Sequence, residues 1–144
     1  MTATFSHVGI CVSDLDRSVR FYCEGLGFAL AESHTVGVEF GPLMEVDGEV
    51  VLQSQFIRKD GMSIELLKFH SPGVDGDGER RQMNARGLTH LSIRVDDVDG
   101  LATTIFALGG EVLQHTRTTL APDLDFLYCT DPDGTRIELM RLPG

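Results

Sequence analysis

Two histidines and two glutamates recur in register along this 144-residue chain. His7 opens the run His7-Val-Gly-Ile-Cys-Val-Ser-Asp-Leu-Asp16, and His90 opens its echo, His90-Leu-Ser-Ile-Arg-Val-Asp-Asp-Val-Asp99, at a constant offset of 83 residues. A second echo, at an offset of 73, matches Gly61-Met-Ser-Ile-Glu65-Leu-Leu-Lys68 to Gly134-Thr-Arg-Ile-Glu138-Leu-Met-Arg141. Taken singly, a histidine at the start of a strand is an ordinary surface or core residue, and a glutamate in Ile-Glu-Leu is the wet side of a half-buried strand. Repeated, they describe a duplicated module in which two imidazoles and two carboxylates can meet. Two converging carboxylates without a cation repel and suffer desolvation, so one has to take up a proton. A divalent cation removes that cost. Mixed imidazole and carboxylate donors suit Zn²⁺, Ni²⁺, Co²⁺, Mn²⁺ or Fe²⁺ better than Ca²⁺ or Mg²⁺. The expected metal ligands are therefore His7, Glu65, His90 and Glu138, a set that leaves an octahedral ion two positions for water or substrate.

These four residues need strands to aim them. Val8, Ile10 and Val12 alternate, the strand period, so Phe5 to Val12 reads as a strand whose other face carries His7, Gly9 and Cys11. Ser13 then offers a helix cap, with Leu15, Val19 and Tyr22 on one helical face and Gly25 and Gly27 ending the helix. Phe28 to Val38, Glu49 to Ile57 and Met62 to Phe69 follow as strands, the last pair joined by the turn dipeptide Asp60-Gly61. The second half repeats the order. Leu88 to Val95 is a strand and Val98 to Leu108 a helix, with further strands over Glu111 to Arg117, Phe126 to Thr130 and Thr135 to Leu142. Alternation puts Glu65 opposite Ile64 and Leu66, and Glu138 opposite Ile137 and Leu139. Each module is thus a β-α-β-β-β unit that shows one histidine and one glutamate on the face its helix leaves open. Module one covers residues 4–69 and module two 88–142. A Gly-, Asp- and Pro-rich connector over 70–87 joins them within a single domain of 1–144.

Composition narrows the function classes. Twelve Lys and Arg against 22 Asp and Glu leave a formal net charge of −10, with no basic stripe for tracking phosphates, so nucleic acid is not an expected partner. No apolar run approaches the roughly 20 residues that cross a bilayer, and the first residues lack a basic region followed by an apolar one. Cys11, Cys23 and Cys129 are odd in number and irregularly spaced, with no Cys-x-x-Cys pair. These features predict reduced thiols in a cytoplasmic protein.

The motifs His7-x-Gly-Ile-x-Val-x-Asp-Leu-Asp16, Phe21-Tyr22, Leu26-Gly27-Phe28, Gly87-Leu-Thr-His90 and Asp131-Pro-Asp-Gly-Thr-Arg-Ile-Glu138 give the chain a family resemblance. It resembles the vicinal oxygen chelate superfamily, which includes glyoxalase I, methylmalonyl-CoA epimerase, extradiol dioxygenases and the fosfomycin and bleomycin resistance proteins. The resemblance runs from His7 to Met140. It implies an α+β fold in which the paired modules form a curved mixed sheet around a metal cleft, commonly in a homodimer. It also implies a lyase or isomerase that acts on a small carbonyl or thioester substrate through a metal-stabilised enediolate. Glu138 matches a ligand that doubles as base, and Glu65 is its opposite-face partner. Of the two arginine anchors for glutathione, one is matched by Arg86, whereas Cys11 stands in place of the other. Arg94, on the expected cleft face, is a second candidate for substrate binding. The resemblance leaves open an Fe²⁺ ring-cleaving dioxygenase and a metal-free protein that sequesters a small molecule.

Overall fold

The computed structural model describes all 144 residues, Met1–Gly144. The chain forms two compact units, Met1–Asp75 and Gly76–Gly144, divided inside the 70–87 connector.

The first unit runs β1 (Val8–Cys11), α1 (Leu15–Arg20) and β2 (Ala29–Val36), then a short helix α2 (Gly41–Met44), β3 (Val51–Lys59) and β4 (Met62–Ser71). Its sheet has the order β1-β4-β3-β2, with β1 parallel to β4 and the other pairs antiparallel. The second unit repeats the plan with β5 (Leu91–Arg94), α3 (Val98–Ala107), β6 (Glu111–Ala121), β7 (Leu124–Thr130) and β8 (Arg136–Arg141). Its order is β5-β8-β7-β6, again with one parallel pair, β5 on β8. The fold is therefore α+β, two tandem βαβββ modules, each carrying its own mixed four-stranded sheet.

Alternation decides which residues go under the helices. Val12, Phe21, Tyr22, Ile64 and Leu66 are buried in the first unit, as are Val98, Ile105, Leu127, Ile137 and Leu139 in the second. Glu65 and Glu138 lie between buried neighbours on β4 and β8 and emerge half-buried on the opposite face. The register is equivalent in both units: Gly9 pairs with Glu65, and Ser92 with Glu138. Each pair of adjacent parallel strands thereby brings a glutamate beside the strand that a histidine precedes.

Several boundaries differ from the sequence expectation. The cap of α1 is Asp14 rather than Ser13, its carboxylate accepting the Arg17 N–H at 3.0 Å. Asp97 caps α3 the same way, accepting from Gly100 at 2.9 Å. The repeated aspartates Asp14 and Asp97 are thus a pair of helix caps. After Arg20 the first helix widens into a π turn over Phe21–Gly25. The strand expected to reach Val38 stops at Val36, and the chain turns into a 3₁₀ turn (Val38–Phe40) and then α2, where Pro42 fits the first helical turn. In the second unit β6 continues to Ala121 and β7 begins at Leu124, so the segment between Arg117 and Phe126 is mostly hairpin rather than loop. No helix is long and apolar enough to cross a membrane.

Candidate metal and substrate site

The first half-site is assembled from β1, β3 and β4. His7, one residue before β1, points Nε2 at Glu65 Oε2, 3.1 Å away. Its Nδ1 is 2.8 Å from the Ser6 hydroxyl. The other carboxylate oxygen of Glu65 accepts a 2.5 Å hydrogen bond from Ser54 on β3. Phe56, the cross-strand neighbour of Glu65, meets the His7 ring edge-on at 5.1 Å between centroids.

The second half-site has the same parts on β5, β7 and β8. His90 Nε2 is 3.5 Å from Glu138 Oε2, and Thr89 Oγ1 is 2.8 Å from His90 Nδ1. Tyr128, the cross-strand neighbour of Glu138, stands edge-on to His90 at 5.4 Å. The hydroxyl on Glu138 comes from Ser92, which donates to Oε2 at 2.9 Å.

In each pair the imidazole proton can sit on either nitrogen. With it on Nδ1 the adjacent hydroxyl accepts it, and Nε2 presents a lone pair beside a carboxylate oxygen. A hydroxyl on Nδ1 that can accept its proton and a second that braces the carboxylate are outer contacts that suit a metal-binding pair. By donor chemistry each half therefore fits a transition metal. No three His, Cys, Asp or Glu side chains gather into a complete metal-binding group. Each unit presents a pair.

Glu138 and Tyr128 also line a cavity of about 260 Å³, whose other walls include Thr116, Thr118, Leu120 and Phe126. Burial, and secondarily the Glu138 charge, raises the Tyr128 phenol above its ordinary pKa, so it stays protonated and able to donate. The Arg136 guanidinium lies 5.7 Å from the Tyr128 ring centre. Tyr128 lies outside the repeated motifs, and Arg136 lies within the second echo where the first half carries Ser63. Tyr128 becomes visible only through its register with Glu138, whereas Arg136 precedes Glu138 by two residues and shares its face by alternation.

The remaining candidates are dispersed. Arg86 is exposed, and its carbonyl accepts from Arg81 at 2.9 Å. Arg94 is exposed and donates to the carbonyls of Pro143 and Leu142, at 3.2 and 3.5 Å, rather than to Glu138. Cys11 is exposed, while Cys129 is fully buried, which pushes its thiol pKa up to about 11.

Comparison with known proteins places this geometry. Residues 4–139 match the Glyoxalase/Bleomycin resistance protein/Dioxygenase superfamily. The lactoylglutathione lyase of Haemophilus influenzae is 28% identical over 137 residues, covering 93% of this chain and 89% of that protein. A 2-epi-5-epi-valiolone epimerase from an Actinomyces species is 30% identical over 150 aligned positions, covering 96% and 79%. Among solved structures, a glyoxalase family protein from Bacillus cereus superposes with a TM-score of 0.82 at 21% identity, over 99% of this chain and 97% of that one. A fosfomycin resistance protein from Listeria monocytogenes, solved with Mn(II) and sulfate, superposes at 0.62 with 19% identity, over 99% and 95%. With a match that spans nearly its whole length and a βαβββ module in each half, the chain belongs to the glyoxalase/bleomycin resistance protein/dioxygenase superfamily.

Proposed function

We propose that the protein is a divalent-metal-dependent lyase or isomerase of glyoxalase or epimerase type, acting on a small carbonyl or thioester substrate. The observation that carries this reading is the duplicated pair: His7 with Glu65 and His90 with Glu138, each with a hydroxyl on Nδ1 and a hydroxyl on the carboxylate. The four side chains hold one divalent transition metal, Zn²⁺, Ni²⁺, Co²⁺, Mn²⁺ or Fe²⁺. When bound, such an ion polarises the substrate carbonyl and offsets the charge of an enediolate.

The residues of this chain supply the proton chemistry. Glu138 faces the 260 Å³ cavity and takes the proton α to the carbonyl, while the Ser92 hydrogen bond keeps the carboxylate oriented. Glu65 is the partner for the opposite face of the substrate, held by Ser54. Phe126 supplies an apolar wall of the cavity beside Glu138. Arg86 and Arg94 are exposed cations that take part in binding the substrate. The protein acts as a cytoplasmic homodimer, and exposed Leu88, Phe106 and Leu120 supply apolar surface for self-association.

The test is elemental analysis of protein purified without a histidine tag, followed by solvent-exchange measurements. About one divalent metal per chain is expected, lost in the Glu65→Gln/His90→Ala double variant. Deuterium from solvent should then enter the α-position of a hemithioacetal or an acyl thioester. Protein that neither carries nor binds Ni²⁺, Co²⁺ or Zn²⁺ on titration overturns the enzyme reading in favour of a binding module. Oxygen uptake with a catechol, without deuterium exchange, replaces it with a dioxygenase.

A further inference from the structure

Beside the Glu138 cavity, and sharing Thr116 and Tyr128 with it, lies a larger open recess of about 660 Å³ in the second unit. Three arginines, Arg80, Arg81 and Arg136, line this recess together with His115, in a chain whose net charge is −10. Arg80 is spoken for, its guanidinium lying 3.0 Å from Glu111. The other two have no carboxylate partner. Arg81 donates to the carbonyls of Arg86 and Leu88, at 2.9 and 3.3 Å, so the chain before His90 wraps around its guanidinium. Gly87 allows this wrap, with φ +118° and an open side where a Cβ would come within 3.2 Å of Arg81 Nη2. The Arg81 carbonyl in turn accepts from Arg136 Nη2 at 2.9 Å, and Arg136 Cζ lies over the Tyr128 ring, 5.7 Å from its centre. The two acidic residues on the rim are Asp77 and Glu79. The Asp77 carboxylate accepts one hydrogen bond, from the Glu79 backbone N–H at 2.9 Å, and both acids keep their charge at the rim.

Such pinning is what anion recognition needs. A planar guanidinium held by one N–H and one ring face keeps its remaining N–H groups in a fixed fork, which matches the oxygens of a carboxylate or phosphate. An acidic protein repels anions at long range, so a local cluster of unpaired cations is required before one can be bound. We propose that this recess is an oxyanion site, with Arg136 as its anchor and Arg81 and His115 beside it. The ligand it takes is a carboxylate or phosphate carried on the substrate, whose reactive carbonyl reaches past Tyr128 to Glu138. The assignment of that oxyanion to the substrate rests on the lyase or isomerase reading, whereas the anion site itself does not.

The test separates the two. Titration of ¹⁵N-labelled protein with inorganic phosphate or succinate, at constant ionic strength against chloride, should shift the Arg136 Nε–Hε and Tyr128 ring resonances saturably. The stronger of the two probes identifies the oxyanion. Arg136→Gln should weaken binding about tenfold or more, the loss expected for a charge-assisted hydrogen bond, and Arg136→Lys by less. His115→Gln, at an exposed position, should weaken it by a smaller factor and serves as the second probe should Arg136→Gln fold poorly. Shifts no larger than those given by chloride, or binding unchanged in both the Arg136→Gln and His115→Gln proteins, overturn the proposal. Neither result depends on turnover, so a failed anion titration leaves the metal and exchange measurements standing, and the reverse holds as well. Where exchange is observed, Arg136→Gln should lower kcat/KM for anionic substrates about tenfold more than for neutral ones; an equal effect on neutral substrates removes the substrate assignment.

Discussion

The two units reproduce one pairing and support it by different means. In the first, the carboxylate of Glu65 is braced from β3 by Ser54, while the parallel neighbour on β1 is Gly9, which has no side chain to offer. In the second, the brace comes from that parallel neighbour, Ser92, and the position across β7 carries Tyr128 where β3 carries Phe56. The bulges differ in the same way. In the first unit the break in register between Leu30 and Ser33 is stitched from the adjacent strand, where the buried Gln55 amide reaches the carbonyls of Ala31 and Glu32 at 3.0 and 3.2 Å. In the second, Thr116 lies within the bulged stretch of β6, donating to Leu113 and accepting from Tyr128 N–H. Strand register therefore preserves the His–Glu pair, with a hydroxyl on Nδ1 and an edge-on aromatic in both halves, whereas the side from which the carboxylate is braced has diverged. Under the proposed function, that asymmetry gives the first half the larger share of metal retention and the second, where Glu138 borders a cavity, the larger share of proton transfer.

The largest effect expected from this division is at the two glutamates. Glu138→Gln should lower α-deuterium exchange by about 10³-fold, the scale of a lost general base, and added metal should not restore it. Glu65→Gln should lose activity through weaker metal retention, and saturating metal should recover most of it. Equal losses with equal rescue would make the two halves interchangeable and remove the assignment.

The next effect concerns stability. Asp125 is 1% exposed and takes hydrogen bonds from Arg117 at 2.9 and 2.5 Å and from Thr119 at 2.6 Å. Burial works to raise its pKa, but the bonds from Arg117 and Thr119 outweigh it and hold the carboxyl below its ordinary value. Arg117 also reaches Asp99 on α3 at 2.6 Å, tying the helix to the β6–β7 hairpin. Arg117→Ala leaves a buried charge unpaired and should cost about 3 kcal/mol in denaturant unfolding at pH 7. The Arg58–Glu32 pair of the first unit has both side chains about half exposed, so Arg58→Ala should cost under about 1 kcal/mol. A carboxyl with a lowered folded pKa stabilises above its unfolded value, near 4, and loses that contribution as pH falls through the folded value. The gap between wild type and Arg117→Ala should accordingly narrow from pH 7 toward pH 3. A gap that stays constant would mean that Asp125 is not the group responsible.

How much of this was legible beforehand follows from what repeats. Period-two alternation placed Glu65 and Glu138 on the open face because Ile64, Leu66, Ile137 and Leu139 must go under the helices, and the echo singled out His7 and His90. The order of elements came from the same two signals. The echo also carries Asp14 and Asp97, which recur because they cap helices, whereas the sequence reading put the first cap at Ser13. Ser54, Phe56, Thr116 and Tyr128 were not visible as site residues, because their role depends on cross-strand register, which bulges shift without leaving a periodic trace. The Arg117–Asp125 pair was hidden for the same reason. Its partners lie on either side of a hairpin turn at Pro122-Asp123 that resembles a loop in composition.

The smallest effect is also the sharpest test of the comparison, because it transplants one half's solution into the other. Outer contacts to a ligand typically contribute 10–100-fold in metal affinity, so Ser54→Ala should weaken metal binding about tenfold while exchange at saturating metal stays near wild type. Ser92→Ala should instead slow exchange at saturating metal by a comparable factor, because it frees the carboxylate that moves the proton. Gly9 occupies in the first unit the place that Ser92 holds in the second, both being the Cα partner of the glutamate. A Cβ there would stand 3.4 Å from Leu67 Cδ1, an ordinary contact, on backbone that lies outside the left-handed region. Gly9→Ser added to Ser54→Ala should therefore return a hydroxyl to Glu65 from the other side and recover most of the lost metal affinity. A double variant no tighter than Ser54→Ala alone would show that the side from which the brace comes matters, and that Ser54 does more than supply a hydroxyl.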